Sequence, residues 1–399
     1  MHIFRESQIS FSQKHIALVV AMFMILFLSG GVPVVRSVTM VVTMLIVLFG
    51  MGAVFSWKIH PRFFSAFLAF VLLMAFHYLI FGFSIAFEPY LYLCLSILLA
   101  LTVLGLTENR RILLQVIDAS LMLVCLHAAM SFVLQFLVGD SLVYDISIRA
   151  LSFKDIVFYN PSKVLGLYRN QGIFWEPGIL QFYLNLYLFL SIFVFRRSST
   201  RIAGIIFLII STFSTTGFII CAFQMLFMLF ARKSWKAFFS SLVLVVASTL
   251  VFYDVVSENL YSKFQGDSRT SSLGRKYDAT TGIRIFLDNP LVGVGFDNAR
   301  YLEEVQNLGV VEALLDANDL IDRGSTNGIF GLAAQGGLLF TALFGIALYR
   351  TMRIYNHAYI LAFILVATLL TSPILKTPFI FLFLLQWLLK EGRGEKKSL

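Results

Sequence analysis

Between His15 and Lys390 the chain consists of apolar runs, most of them about 17–25 residues long, separated by short polar breaks. As a helix rising 1.5 Å per residue, a run of that length crosses a hydrocarbon core of ~30 Å. Inside lipid, backbone polar groups must pair within the segment, which repeated apolar runs achieve as helices. Charged residues make up 13% of the chain, against about 25% in soluble domains, too few to cover a water-exposed globule. The expected fold is an all-α polytopic membrane protein with about twelve transmembrane helices, a single membrane domain over residues 1–399. The spans are expected near 15–34, 37–56, 63–82, 88–106, 112–137, 178–195, 202–213, 216–231, 237–256, 326–349, 355–372 and 374–390. The first run lacks a small-residue cleavage site and is expected to stay as a helix. Cys94, Cys125 and Cys221 all fall inside apolar runs, too far apart for a metal motif, and are expected to be small core residues.

The basic residues orient this set of spans. With the N-terminus inside, the inner face receives Arg5, Lys14, Lys58, Arg62, Arg110, Arg111, Arg196, Arg197, Arg201, Arg232, Lys233, Lys236, Arg350, Arg353, Lys390, Arg393, Lys396 and Lys397. The short outer loops receive only Arg36 and Lys376. Both termini are therefore expected in the cytoplasm. The net charge of +9 follows from this bias and gives no reason to invoke nucleic acid. Two long segments, 138–177 and 257–325, fall outside the membrane on the opposite face and hold most of the reactive polar residues. Their Tyr, Phe, Ile and Leu content argues for ordered, partly helical loops. The chain shows no internal repeat, which weighs against a repeat-built transporter.

In the first loop, "YRNQGIFWEPGILQFY" (168–183) sets Arg169 and Glu176 at the edge of the bilayer. Pro177 suits the first turn of the sixth span, leaving Glu176 at its positive end. Glu is not a favoured cap. The helix dipole and Arg169 are expected to keep its carboxylate ionised, as a general base requires. The bland alternative is an acid that only stabilises a helix start. In the second loop, residues 275–288 are expected to form a helix stopped by Asp288-Asn289-Pro290. Arg275 and Arg284, nine residues apart, point to opposite faces unless Gly282 breaks that helix. Gly293 and Gly295 allow either an ordinary tight turn or an approach of an anion to bare N–H groups ahead of a helix opened by Asp297. The acids Asp316, Asp319 and Asp322 fit a solvated helix face better than a metal site, and no metal is expected. Within the spans, Asp118 and His127 should face the bundle interior.

"RNQGIFWEPG" resembles the Arg-x-x-Gly…Glu-Pro-Gly segment of bacterial O-antigen and capsule polymerases of the Wzy type. The stretch from Arg275 to "NPLVGVGFDN" is similar to a segment shared by the O-antigen polymerase and ligase superfamily. "STTGFII" and "STNGIFGLAAQGGLLF" resemble two further family segments, in order. The ligases carry a His at the tip where this chain has Ser325-Thr326-Asn327, which favours the polymerase branch. The resemblance implies a metal-independent and cofactor-free glycosyltransferase in the bacterial inner membrane, active on its periplasmic or extracellular face. It would move a growing glycan from undecaprenyl pyrophosphate onto a lipid-linked repeat unit, with a chain-length regulator protein as a further partner. Glu176 and Arg275 are the candidate catalytic residues. Arg169, Arg275, Arg284, Gly293 and Gly295 are the candidates for pyrophosphate, and Tyr168 and Asn327 for other substrate contacts. An O-antigen ligase, or a flippase for lipid-linked oligosaccharides, is the alternative.

Overall fold

A computed structural model describes residues 13–31, 37–55, 60–107, 109–138, 144–148, 151–155, 162–164, 167–232, 239, 242–243, 269–308 and 327–389. The helices are α1 (Gln13–Leu28), α2 (Ser37–Phe55), α3 (Pro61–Ile80), α4 (Glu88–Thr107), α5 (Arg110–Val138), α6 (Pro177–Phe189), α7 (Ser199–Ser211) and α8 (Thr215–Arg232). They continue with α9 (Arg269–Asp288), α10 (Asn298–Asn307), α11 (Gly328–Met352), α12 (Ala358–Leu369) and α13 (Pro378–Leu385). Five helices among the described residues are long and apolar enough to cross a membrane: α3, α4, α5, α6 with its π-turn extension to Val194, and α11. Six further apolar helices are shorter. The run at 237–256 lies outside the described residues except Phe239, Leu242 and Val243.

The first long loop departs from expectation. Its described parts are two antiparallel hairpins, β1 (Tyr144–Ile148) with β2 (Leu151–Asp155) and β3 (Ser162–Val164) with β4 (Leu167–Arg169), rather than helices. The second loop is helical where described, as α9 and α10, and α9 stops at Asp288 ahead of Pro290. The last helix begins at Pro378 rather than near 374, because Pro373 and Pro378 bracket a short 3₁₀ turn, Ile374–Lys376.

α6 is the axis of the bundle. Pro177 and every residue from Ile179 to Phe189 are buried, the signature of a helix surrounded on all sides. Two of its polar side chains pair inside the bundle. Asn185 donates to Gln181 Oε1 at 3.0 Å and accepts on Oδ1 from Gln224 Nε2 of α8, also at 3.0 Å. Gly217 of α8 lets the helices close, since a Cβ there would meet Gln181 Cβ at 2.9 Å. Asp118 does face inward, only 7% exposed, and pairs with Arg197 at 2.6 Å in the turn after α6. It is a bond between neighbouring elements. His127 lies 3.3 Å from Ser131 Oγ, one turn along α5.

Several helix ends meet at the other end of α6. Trp175 N–H donates to Gly30 O beyond α1, Ser29 Oγ accepts from Phe379 N–H of α13, and Asn327 at the start of α11 donates to Leu370 O after α12. These are the ends that the charge pattern assigns to one outer face.

Candidate functional site

The segment between β4 and α6 is fixed on three sides. Asn170 is fully buried; its N–H donates to Ser211 O, and its Nδ2 donates to Ala128 O at 3.1 Å and Ser211 Oγ at 3.0 Å. Phe174 stacks on Tyr183 of α6 with ring centroids 4.7 Å apart. Gly172 takes a left-handed φ of 56° in the turn between them, where a side chain would be strained. Two charged residues bracket this rigid loop.

Arg169 reaches the tip between α7 and α8. Its Nε donates to Thr212 O at 3.2 Å and its Nη2 to Phe213 O at 3.3 Å. Phe213 is left-handed, φ 48°, a conformation costing about 1–2 kcal/mol for an L residue, and the guanidinium holds its carbonyl. A cation there also suits the negative C-terminal end of α7. Burial lowers the Arg169 pKa to about 10, opposed by the Glu176 carboxylate and reinforced by the charge of Arg275. It stays cationic at neutral pH. Two of its N–H groups face carbonyls, so it cannot offer its whole donor set to a phosphate.

Glu176 occupies the N-cap position of α6, yet its side chain makes no capping hydrogen bond. The carboxylate instead folds over Gly178, where a Cβ would lie 3.2 Å from Oε1, and accepts from Ser372 Oγ at 3.3 Å. Burial raises its pKa, against the opposing effects of Arg275, the Ser372 hydroxyl and Arg169. Burial works against the helix dipole and Arg169, so the ionised carboxylate is a stronger base than an ordinary Glu.

Arg275 is exposed on α9, and its charge acts on both Glu176 and Arg169. The three residues therefore form one electrostatic group. Arg284 does not join it. α9 is unbroken at Gly282, which packs against Phe330, so the two arginines flank the buried Tyr277–Thr281–Ile285 stripe on opposite sides.

Gly293 and Gly295 have a different task from an anion cradle. α11 is broken at Gly337, φ 63° and ψ −163°, and the stretch 290–295 is spliced into the break. Val294 and Gly295 N–H donate to Ala334 O and Gln335 O at 2.9 Å each, and Leu338 N–H donates back to Pro290 O at 2.7 Å. Gly293 N–H goes to Asn289 O at 3.0 Å. A Cβ on Gly293 would sit 2.5 Å from Ala334 O. Both glycine amides are engaged by carbonyls, and close backbone approach is what requires the glycines. The far side of the splice rests on His77, whose Nε2 bonds Val292 O at 2.7 Å and whose Nδ1 lies 2.9 Å from Tyr90 OH.

Asn327 caps α11. Its Oδ1 accepts from Ile329 and Phe330 N–H, and its Nδ2 holds α12 through Leu370 O. Tyr168 pairs in register with Lys163 in the second hairpin. Ser325, Thr326 and the acids at 316, 319 and 322 lie outside the described residues. Among the described residues no cluster of three His, Cys, Asp or Glu could hold a metal. Sequence reasoning missed Ser372, Gln335 and any role for Lys376, whose ammonium bonds Gln335 Oε1. The available signal was the polar island "TSPILKTP" between two apolar runs.

Residues 201–336 match a family model described as O-antigen ligase. The matched stretch runs from α7 to the residue before the break in α11, and so contains Arg275 and residues 290–295. Arg169, Glu176 and Ser372 lie outside it. A search of curated proteins found no match. Five apolar helices of membrane-spanning length among the described residues accompany this match.

Proposed function

We propose that the protein is a polysaccharide polymerase of the Wzy type, transferring a growing glycan from undecaprenyl pyrophosphate to a sugar hydroxyl on a lipid-linked repeat unit. The observation that carries this reading is Glu176 at the start of the buried helix α6, its carboxylate turned from the helix cap to Ser372 and subject to the charges of Arg275 and Arg169. The bond from the donor sugar's anomeric carbon to the phosphate oxygen breaks, and the pyrophosphate leaves with the electron pair. A new bond forms from that carbon to the acceptor oxygen, whose proton goes to Glu176. Arg275, exposed and planar, takes the phosphate oxygens as a fork. Arg169 contributes charge while clamping the α7–α8 tip. No metal enters this scheme.

The polymerase branch is favoured over the ligase by the site's composition. Asn327 stands where the ligases' tip has histidine, and it is occupied in capping α11. His77, on the same side, has both ring nitrogens in hydrogen bonds.

Deletion of the gene separates the branches. Loss of a polymerase leaves a glycolipid capped with one repeat unit, whereas loss of a ligase leaves bare acceptor and polymer stranded on its carrier. Bare acceptor would move the protein to the ligase branch. Glu176→Gln keeps the shape and removes the base, so it should slow transfer by roughly 10²–10⁴-fold at normal protein level. Full-length polymer from that variant would leave the carboxylate no catalytic part. The raised Glu176 pKa also sets a pH limb. Activity in membranes should fall with decreasing pH through a value above the ordinary Glu range of about 4.3, because protonation removes the base. A limb at or below the ordinary Glu value would contradict the assignment.

A further inference from the structure

Lys376 is the one basic residue besides Arg36 that the charge pattern places in a short outer loop. It ends the 3₁₀ turn between α12 and α13 and is half-buried. Its ammonium bonds the Gln335 side-chain carbonyl, immediately before the break in α11, and stands 5.0 Å from the Phe296 ring centroid. An amide oxygen and an aromatic face both steady a cation without neutralising it. No carboxylate among the described residues pairs with it. A partly desolvated cation left this way favours an anion from outside the chain.

This cation is separate from the arginine group. Lys376 is held by Gln335 and Phe296, whereas Glu176 turns to Ser372, and burial lowers the Lys376 pKa to about 8. Yet the two places share one turn, because Ser372, four residues before Lys376, donates to Glu176. Transfer between two lipid carriers brings two phosphate-bearing headgroups to this end of the bundle at once. The leaving pyrophosphate belongs with the arginines. The carrier that bears the acceptor sugar needs its own cation, near the base but not on it.

We propose that Lys376, held by Gln335 and Phe296, binds a phosphate of the second polyprenyl carrier, the one bearing the acceptor. This rests on the transfer reading above.

The test uses full-length protein in discs of phosphatidylcholine, with radiolabelled undecaprenyl phosphate as the probe. Wild type should bind two carriers per chain. Lys376→Met should weaken one of them at least about tenfold, the loss expected for a hydrogen bond to a charged group. Lys376→Arg should keep both, showing that charge rather than folding is read out. Arg275→Gln should weaken the other carrier and leave the Lys376-dependent one. Two carriers in Lys376→Met, or only one in Lys376→Arg, would overturn the inference. One carrier in wild type, sensitive to Arg275→Gln and insensitive to Lys376→Met, overturns it while leaving the transfer reading intact. Binding insensitive to both arginine and lysine changes defeats the transfer reading itself. Discs doped with phosphatidylglycerol distinguish sources: equal competition at the Lys376 site would make it a general anionic-headgroup site and reject the carrier assignment.

Discussion

The loops at 169–176 and 290–295 look alike in sequence, each short, glycine-bearing and set against a helix, but they meet their polar groups differently. In 290–295 the hydrogen-bonding groups turn inward: amides and carbonyls exchange with the broken α11, and Val292 O takes the His77 ring. The first loop satisfies its backbone against α1 and α7, while its two ionisable side chains reach away from it, Arg169 to the α7–α8 tip and Glu176 to Ser372, and both feel the charge of Arg275. The contrast separates scaffold from site. A turn whose glycine amides are engaged holds things in place, and a half-buried acid that ignores its own helix cap is available for chemistry.

The largest effect that could break this comparison is structural. Gly337→Ala puts a methyl 2.5 Å from the Leu291 carbonyl carbon, at a backbone conformation that is essentially glycine-only and costs of order 1–3 kcal/mol for other residues. Overlap adds to strain, and natural proteins hold only about 5–15 kcal/mol of stability. We expect almost no folded protein, measured as the monodisperse peak of a fluorescent fusion in detergent. A normal peak with lost activity would mean that the splice takes part in the reaction.

Much of this was legible in the sequence for a physical reason. Apolar run length, charge bias and proline positions act locally, so helix positions, the α9 stop and the place of Glu176 could be read directly. The Arg275–Arg284 opposition needed only helical geometry. What stayed hidden depends on contacts distant in sequence. That Gly293 meets Ala334 rather than an anion, that Glu176 binds Ser372 rather than its own helix, and that Lys376 meets Gln335 each join residues more than forty apart, or nearly two hundred in the case of Glu176. The hairpins of the first loop were missed because its apolar content signals order without a period.

The second prediction sharpens the site side of the comparison. Arg275→Lys replaces a planar fork by a point charge and should slow polymer formation about tenfold to a hundredfold, the worth of one good charged hydrogen bond. Arg284→Lys, on the opposite flank of the same unbroken helix, should stay within about twofold, as exposed substitutions away from a site generally do. Both are scored by chain-length distribution at matched protein level. Equal tolerance of the two would remove Arg275 from the mechanism and leave Glu176 with only Arg169.

The smallest effect tests the scaffold from its far side. Val292 O can only accept, so His77 carries its proton on Nε2 and its Nδ1 accepts from the Tyr90 hydroxyl, whose oxygen in turn takes the Phe296 N–H at 3.3 Å. Tyr90→Phe keeps the ring contacts with His77, Tyr78 and Phe296 but strands one donor and one acceptor in a buried place. Each stranded group costs about 1–3 kcal/mol, and relaxation of the His77 ring recovers part of it. We expect a lower melting temperature with transfer rate per folded molecule changed by less than about threefold, because this network touches the splice and not the Glu176 group. If Tyr90→Phe melts like wild type and still loses more than tenfold in rate, the aromatic cage under 292–296 is part of the chemistry, and the division between the two loops fails on the side where it now looks firmest.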